Sequence, residues 1–410
     1  MDVRPDANFP AYFSYRKLEN SKSKMKYETT RNIKMVNNTV LLIASFPDSL
    51  IKFRGPLIDA LLAQGLKVHV AVPELSKDDA IYQALTIKGI KLHNIALQRT
   101  GVNPVADLRA MLQLFRLMTK LKPGMVLSYT IKPVIYGSLA AWLSRVPKRF
   151  ALITGLGYAF TGQASGKRGV LKVLIQRLYR FSLGKVDKAF FQNPDDEALF
   201  RQLGILPTKV PSCIVNGSGV DLAEYHQTPL PDSPSFLLTA RLLGDKGVRE
   251  YAQAAAKVKR KYPEVSFQLV GWIDDNPDAI GQQELDDWVA AGTLQYLGKL
   301  SDVRPAIANC SVYVLPSYRE GTPRTVLEAM AMGRGVITTD APGCRETVIN
   351  GDNGFLVPVK AVNELENAML LFIEQPELAV AMGIRSRKIA EAKYDVHKVN
   401  EHMLKEMGLI

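Results

Sequence analysis

From about residue 40 to its end, the chain alternates short apolar runs with longer amphipathic segments. The first apolar run, VLLIASF, is followed by GPLIDALLAQG, which predicts a helix ending at Gly65, and then by a second run, LKVHVAV. Strands that are apolar at every position are typical of parallel sheets covered by helices on both faces. The pattern therefore predicts parallel β-α-β units.

The alternation forms two series that are separated by a polar segment. The first series continues through the strands KLHNIAL, GMVLSY, RFALIT, KAFFQN and SCIVN, with helices near 106–121, 135–143, 169–183 and 195–203. The second series has the strands SFLLTA, SFQLVG, TLQYLG, SVYVLP, GVITT and GFLVPV, again with helices between them and three helices at the end. The segment between the series is dense in Gly, Pro, Ser and Asp, which is typical of a linker.

These series predict an α/β protein with two doubly wound, Rossmann-like parallel-sheet domains that face a cleft. We expect a flexible extension over 1–36, a first domain over 37–215, a linker over 216–234 and a second domain over 235–392. Residues 393–410 are expected to form a C-terminal helix that packs back toward the first domain. Ligands of such sheets bind outside the carboxyl ends of the strands, so we expect the site between the domains.

Composition excludes several classes of protein. The 410 residues are 47% hydrophobic and 22% charged, which is ordinary for a globular chain. Three widely spaced cysteines and five histidines, mostly isolated, argue against a disulfide scaffold or a zinc site and fit a reducing cytoplasm. The chain has no run of 18 apolar residues and begins with acids and prolines, so we expect no membrane span and no export signal.

The net charge of +12 is concentrated in the first half of the chain. Residues 1–215 hold 32 Lys and Arg against 14 Asp and Glu, whereas residues 216–410 hold 20 against 26. Between Arg99 and Lys185 there are fifteen cations and one acid, Asp107. Such a field attracts polyanions, whether nucleic acid, an anionic membrane or a phosphorylated substrate, although a solvated basic surface would look the same.

Two cations follow the first strand of the second domain. Arg241 comes directly after SFLLTA, and Lys246 stands at the start of the next helix. Cations at a strand's carboxyl end, beside a helix N-terminus, suit a diphosphate, although two solvated surface cations would give the same pattern. Neither domain carries the Gly-x-Gly-x-x-Gly or Walker sequence after its first strand, which disfavours a nicotinamide enzyme or a Walker-type nucleotidase.

The segment SVYVLPSYREGTPRTVLEAMAMG carries two acids seven residues apart, Glu320 on a loop and Glu328 within a predicted helix. Both can face one cleft, where their oxygens could accept hydrogen bonds from sugar and ribose hydroxyls. Gly321 would let the backbone approach a ligand closely. An exposed pair of acids is the alternative, but Glu328 lies in an apolar run where solvation is disfavoured. A rival pair, Asp274 and Asp275, could bind a metal, but it stands in a turn sequence, which is the commoner reason for clustered Asp.

These motifs resemble the retaining glycosyltransferases of family 4, which have the GT-B fold of two Rossmann-like domains. SYREGTPRTVLEAMAMG resembles the family's Glu-x7-Glu signature, and TARLLGDKG resembles its Arg and Lys motif. SYTIKPVIYGSLAA and ALITGLGYAFTG resemble the branch that builds capsule, O-antigen and lipid-linked oligosaccharides, similar to the undecaprenyl diphosphate-linked N-acetylgalactosaminyltransferases. The resemblance extends from about residue 38 to the end of the chain.

The resemblance implies a role for each matching residue of the second domain. Arg241, Lys246 and Glu320 would form the catalytic group, with the two cations on the donor diphosphate and Glu320 on the transferred sugar. Glu328 would bind the ribose. Further donor-binding residues are the phosphate-facing amides of Arg324 and Thr325, together with Gly321, Thr322, Gly55 and Leu300.

The acceptor and membrane side is assigned to the first domain. The candidate residues are Lys132, Arg54, Tyr158, Lys172 and Arg180. Arg54 precedes Gly55 where many family members have paired glycines, and Lys132 stands where many have histidine. The helix over 167–185 places Leu171, Leu174, Ile175 and Leu178 on one face and Lys172, Gln176 and Arg180 on another, which suits either an interfacial helix or a packed one.

The resemblance implies a retaining transferase that moves a sugar, such as N-acetylgalactosamine, from a UDP-sugar to a polyprenyl diphosphate-linked saccharide. The UDP-sugar is a co-substrate, and no cofactor, metal or nucleic acid is expected. The protein would lie on the cytoplasmic face of the inner membrane, attracted to its anionic surface. The alternatives are a transferase with another donor or a soluble acceptor, a basic nucleic-acid-binding protein, and a silent nucleotide-sugar binder.

Overall fold

A computed structural model describes residues 37–98, 103–156, 167–274 and 276–410. The first of its two sheets has seven parallel strands in the order β3-β2-β1-β4-β5-β6-β7. These strands are β1 (Thr39–Ile43), β2 (Lys67–Val72), β3 (Lys91–Asn94), β4 (Met125–Tyr129), β5 (Lys148–Ile153), β6 (Lys188–Phe191) and β7 (Ser212–Ile214).

The second sheet has six parallel strands in the order β10-β9-β8-β11-β12-β13. These strands are β8 (Ser235–Thr239), β9 (Ser266–Val270), β10 (Gln295–Tyr296), β11 (Val312–Leu315), β12 (Gly335–Thr339) and β13 (Gly354–Val357). In both sheets the chain starts near the centre, winds to one edge and then returns to build the other half. Each sheet therefore has a switch point, where crevices for ligands form.

Helices connect the strands and cover the sheets. In the first domain they are α1 (Asp48–Lys52), α2 (Gly55–Ala63), α3 (Ala80–Ile87), α4 (Pro104–Leu121), α5 (Ser138–Leu143), α6 (Lys167–Leu183) and α7 (Pro194–Gln202). In the rest of the chain they are α8 (Val248–Lys261), α9 (Gln282–Ala290), α10 (Arg304–Ala308), α11 (Arg324–Ala331), α12 (Val362–Glu374), α13 (Glu377–Ile389) and α14 (Val396–Glu406). None of the described helices combines the length and apolar character that a bilayer span needs.

The central strands show why the sequence reads as uninterrupted apolar runs. Every residue of β1, β4, β8, β11 and β12 is buried, because helices cover both faces of each sheet. The predicted fold class, two doubly wound α/β domains, is confirmed. The short helices α1 and α3 were not predicted, and Leu85 is the one buried residue of α3.

Helix α6 corrects one expectation. Ile175 and Leu178 pack against the first-domain core, as a packed helix requires. Leu174, which was assigned to the same apolar face, is 49% exposed, and Leu171 lies outside the described side chains. The apolar stripe thus faces the core over only part of its width, and Leu174 lies at its solvent edge.

The end of the chain returns to the first domain. Residues 216–234 contain neither a helix nor a ladder strand, and Val220 of this segment exchanges backbone hydrogen bonds with Tyr394 and Val396. Helix α14 packs on α2. The Nζ of Lys148 donates to the carbonyls of Met407 and Gly408, so a first-domain cation caps the last helix.

Candidate active site

Lys246 and Glu320 form an ion pair at the carboxyl ends of neighbouring strands. The Nζ of Lys246 lies 2.6 Å from Oε1 of Glu320, and the two side chains are 16% and 17% exposed. Burial by itself would lower the pKa of Lys246, but the charges of Glu320 and Asp245 outweigh it and raise this pKa above its usual value. Lys246 is therefore fixed in place by its ion pair and carries its charge at neutral pH.

A tight turn brings Lys246 to this place. Lys246 ends a short 3-10 turn after β8, and the next residue, Gly247, has a φ of +71°. A Cβ on Gly247 would lie 2.1 Å from the carbonyl oxygen of Pro316, directly after β11. Only glycine allows both the left-handed backbone and this close approach, so the turn seats Lys246 against the loop that carries Glu320.

Arg241 lies at the end of the same strand, β8. Its Nη1 is 2.9 Å from Oδ2 of Asp274. Its positive charge acts on Lys246 and opposes the rise of the Lys246 pKa. The two expected cations are thus brought together with Glu320. Asp274 of the rival acid pair has Arg241 as its partner, and Asp275 lies outside the described residues.

Glu328 projects from α11 into a buried setting. It is 6% exposed, its Oε1 accepts a hydrogen bond of 2.8 Å from Nε of Arg324, and it also bonds to Tyr225. Burial raises the pKa of Glu328, and Arg324 and Tyr225 partly oppose that rise. The carboxylate is positioned by two neighbours, which is what a hydroxyl-binding group requires.

The first turn of α11 follows directly after the Glu320 loop. The carbonyl of Pro323 accepts hydrogen bonds from the amides of Val326 and Leu327. The amides of Arg324 and Thr325 therefore precede the helix's own hydrogen bonds, where helix N-termini receive anions. The hydroxyl of Thr325 hydrogen bonds to Tyr313 on β11.

The first domain holds the Glu320 loop in place. The Nδ2 of Asn193 donates to the carbonyls of Gly321 at 2.8 Å and Glu320 at 3.2 Å. The hydroxyl of Thr322 donates to the carbonyl of Gln192 at 2.9 Å. A Cβ on Gly321 would lie 2.5 Å from the carbonyl oxygen of Thr154, so the missing side chain lets this loop approach the first-domain backbone closely.

Two ion pairs flank this contact between the domains. Arg319 pairs with Asp196, and Arg345 lies 2.9 Å from Asp195. Burial raises the pKa of Asp196, and the hydrogen bond and charge of Arg319 act against that rise. Both acids lie at the start of α7, whose first turn faces the second domain.

The sequence reading missed Asn193, Asp196 and Arg319. The sequence NPDDE after β6 was interpreted only as a helix start, and Asn193 does cap α7 through a hydrogen bond of 2.8 Å from the amide of Asp196. A polar segment at a strand's carboxyl end facing the expected cleft was the available signal. The local sequence does not show that the other partners of this segment lie more than 120 residues further along the chain.

The remaining donor-side candidates are Gly55 in the first domain and Leu300 in the second. Gly55 is the first residue of α2 and has room for a side chain, since its nearest neighbour would be 3.7 Å from an added Cβ. Leu300 is partly buried and packs against a core cluster of the second domain. Neither position shows by itself a group that would recognise a donor.

The acceptor-side candidates are spread over the first domain. Lys132 is tied to Asp107 by an ion pair of 2.8 Å, so its charge is already matched. Arg180 is exposed and Lys172 is partly exposed on α6. Arg54 is buried at the end of the loop after β1. Tyr158 lies outside the described residues.

Two further features lie away from the ion pair. A cavity of about 560 Å³ at the carboxyl ends of β2 and β3 is lined by first-domain residues that include Asn94 and Arg109. Within the described parts of the chain, the one group with metal-ligand geometry is Cys213, His402 and Glu406, where Glu406 already pairs with Lys188 at 2.6 Å.

Comparison with known proteins defines the class of this chain. Residues 233–375 match the family model of the glycosyl transferases group 1, and residues 40–193 match that of the glycosyl transferase 4-like domain. The first of these regions carries the six-stranded sheet with the Lys246 and Glu320 pair, and the second carries the seven-stranded sheet as far as β6. The chain belongs to the glycosyl transferases whose two domains these models describe, and it is a glycosyltransferase with the GT-B fold.

Individual relatives show the same class over most of the chain. The chain is 29% identical over 371 residues, 87% of its length and 95% of the relative, to N,N'-diacetylbacillosaminyl-diphospho-undecaprenol alpha-1,3-N-acetylgalactosaminyltransferase of Campylobacter jejuni. It is 26% identical over 73% of its length, and 79% of the relative, to UDP-Gal:alpha-D-GlcNAc-diphosphoundecaprenol alpha-1,3-galactosyltransferase of Escherichia coli. The fold is similar to that of Anabaena HepE, solved with UDP, with a TM-score of 0.71 and 18% identity over 91% of this chain and 100% of that one.

Proposed function

We propose that this protein transfers a sugar from a UDP-sugar, with N-acetylgalactosamine as the first candidate, to a polyprenyl diphosphate-linked saccharide during assembly of a surface polysaccharide or glycan. The observation that carries the proposal is the partly buried pair of Lys246 and Glu320 beside Arg241. The two named relatives act on undecaprenol-linked diphosphate sugars, which supports the acceptor class.

The two cations suit the chemistry of the leaving group. When the bond between the sugar C1 and the diphosphate oxygen breaks, negative charge grows on that oxygen. A cation at about 4 Å in an effective dielectric near 20 contributes on the order of 4 kcal/mol of gross Coulomb energy. Lys246 and Arg241 can supply this charge without a bound metal, so we include metal independence in the proposal.

Glu320 fits a positioning role better than covalent attack. Its Oε1 is already held by Lys246 at 2.6 Å, so the carboxylate is neutralised and oriented. In the proposed reaction the acceptor oxygen bonds to C1 on the face that the leaving diphosphate vacates. The acceptor hydroxyl gives its proton to a departing phosphate oxygen, UDP leaves, and the configuration at C1 is retained.

Attachment to a membrane surface is the second part of the proposal. Trp142 on α5 and Phe181 on α6 form an exposed apolar patch, and Leu143, Val173 and Leu174 on the same two helices are also exposed. Trp142 and Phe181 pack edge to face at 6.2 Å, and Lys185 lies 4.3 Å above the Trp142 ring. Aromatic side chains bordered by cations are typical of surfaces that rest on anionic lipid headgroups.

A donor screen tests the transfer. Purified protein is offered UDP-N-acetylgalactosamine, UDP-N-acetylglucosamine, UDP-galactose and UDP-glucose with a short polyprenyl diphosphate-linked sugar, with and without EDTA. We expect one UDP-sugar to be consumed, an EDTA-insensitive rate and an α-linked product by NMR. Transfer only to a soluble sugar would overturn the acceptor class, a β-linked product would overturn retention, and no transfer from any donor would overturn the proposal.

A further inference from the structure

Arg54 is a buried cation with almost no partner among the residues that the structure describes. It stands between β1 and α2 and is 3% exposed. Its Nε makes no hydrogen bond to any described residue, and its Nη1 reaches only the carbonyl of Phe53 at 3.5 Å, which is long for a hydrogen bond. The guanidinium lies 5.2 Å from the centre of the Tyr129 ring. Burying such a charge without a counter-ion is strongly unfavourable.

Another buried arginine shows how this chain satisfies a guanidinium when the role is structural. Arg334 is fully buried, and its three nitrogens all donate hydrogen bonds. The acceptors are the carbonyls of Ile307, Thr228, Met332, Pro229 and Ala308 and the hydroxyl of Thr228. The described residues form no such cage around Arg54, so its Nε and its weakly bonded Nη1 are left to donate to a bound group.

A second cation acts on Arg54 from the other domain. Arg324, at the start of α11 in the second domain, acts on Arg54 electrostatically, and its guanidinium lies 5.7 Å from the centre of the Phe53 ring. No described carboxylate forms an ion pair with Arg54. Burial lowers the pKa of Arg54 to about 10, so it still carries its charge at neutral pH. Arg54 and Arg324 thus come together from different domains, and the carboxylate of Glu328 forms an ion pair with Arg324.

We propose that Arg54, with Arg324, forms a second phosphate site that binds a diphosphate group of a substrate across the two domains. Arg54 lies beyond the carboxyl end of β1, where ligands of doubly wound sheets bind. Guanidinium groups bind phosphate oxygens two at a time, which would satisfy the free donors of Arg54. The inference rests on the proposed function, in which both the UDP-sugar and the lipid-linked acceptor carry a diphosphate.

Binding measurements with matched ligand pairs test the site. Calorimetry compares UDP with uridine, and farnesyl diphosphate with farnesol in detergent, on the full chain and its Arg54→Met and Arg54→Lys variants. Arg249→Met is the control, since Arg249 pairs with Glu284 on the outside of the second domain. We expect Arg54→Met to weaken at least one diphosphate ligand by tenfold or more, which is about 1.4 kcal/mol, and to leave its phosphate-free partner unchanged. The affinity of the Arg54→Lys variant for that diphosphate should fall between the affinities of wild type and Arg54→Met.

Each outcome has one meaning. A loss confined to UDP assigns the site to the donor, and a loss confined to farnesyl diphosphate assigns it to the acceptor. Unchanged affinities for both diphosphates in a folded Arg54→Met protein overturn the site, and if that variant does not fold, unchanged affinities in Arg54→Lys do so. If wild-type protein binds diphosphates through Arg54 but transfers no sugar, the proposed function fails while the phosphate site stands.

Discussion

Asn193 of the first domain donates a hydrogen bond to the carbonyl of Gly321 in the second domain, 2.8 Å away. The same amide reaches the carbonyl of Glu320, whose carboxylate holds Lys246. The backbone of the catalytic candidate is therefore held by one domain while its side chain is held by the other. The site depends on the two domains being in contact, and the geometry at Glu320 reports on that contact.

Replacing Asn193 by Asp tests this dependence without removing the helix cap. Asp keeps an oxygen for the amide of Asp196, but it replaces the donor with a carboxylate that faces two carbonyl oxygens. We expect kcat to fall by about tenfold or more, which corresponds to about 1.4 kcal/mol of lost positioning. Steady-state kinetics should show this in kcat, with the Kd of UDP close to wild type.

The control for that variant is Asn363→Asp, on the exposed start of α12. It should leave kcat unchanged. Equal kcat values for Asn193→Asp and wild type would show that the bond to Gly321 has no part in arranging Glu320. Loss of UDP binding together with kcat would instead point to general disruption of the second domain.

A methyl group at Gly321 should separate the domains. An added Cβ would lie 2.4 Å from Oε1 of Gln192 and 2.5 Å from the carbonyl oxygen of Thr154. The Gln192 side chain can move, but the Thr154 backbone cannot without opening the contact. We expect Gly321→Ala to reduce activity by about tenfold or more and to lower the free energy of unfolding by about 1–3 kcal/mol, the usual cost of overpacking. Gly281→Ala, where nothing lies within 4 Å of the added Cβ, is the matched control.

Removing the charge at Lys246 should slow the reaction more than it weakens donor binding. If about half of the gross 4 kcal/mol is realised in the transition state, Lys246→Ala loses about thirtyfold in kcat. Lys257→Ala removes an ammonium from α8 that pairs with Glu366 at 3.2 Å, and should have no effect. A Lys246→Ala enzyme with wild-type kcat would contradict the assignment of this ammonium to the leaving diphosphate.

Local patterns predicted the two sheets and the grouping of the second-domain residues because both depend on short continuous segments of the sequence. The runs around β8 and β11 place Arg241, Lys246 and Glu320 at adjacent strand ends, and parallel topology brings these ends together. Leu174 was misplaced because helical periodicity defines a face but not how much of it the sheet covers. Asn193 and Arg319 were missed because their partners lie across the domain contact, which no local spacing encodes.

A contact between the buried His69 and the partly buried His93 should make stability depend on pH. The Nδ1 of His69 lies 2.9 Å from Nε2 of His93. Burial and the neighbouring His93 lower the pKa of His69 to about 4, and burial and Lys91 also lower the pKa of His93. Both rings bind fewer protons in the folded than in the unfolded chain, so this contribution to stability is full above the ordinary pKa of 6.5 and is lost as pH falls toward 4.

The prediction is checked by urea unfolding at about pH 7 and about pH 5. The free energy of unfolding of wild type should drop between these values, and the drop should shrink in the His69→Gln and His93→Gln double variant. His226→Gln, at an exposed position, should keep the wild-type drop. An equal drop in all three proteins would assign the pH dependence to other groups.

The exposed apolar patch on α5 and α6 makes a prediction about membranes. Trp142 is 39% exposed and Phe181 53% exposed, and Lys185 lies over both rings. If this patch rests on a bilayer, replacing Trp142 and Phe181 by Ser should remove most binding to vesicles that contain phosphatidylglycerol, measured by co-sedimentation. Neutral phosphatidylcholine vesicles and high salt should weaken wild-type binding, since each cation near an anionic surface contributes roughly 1 kcal/mol. Ile87→Ser, at an exposed apolar position on α3, should bind as wild type does, and a double variant that still sediments with anionic vesicles would place the contact elsewhere.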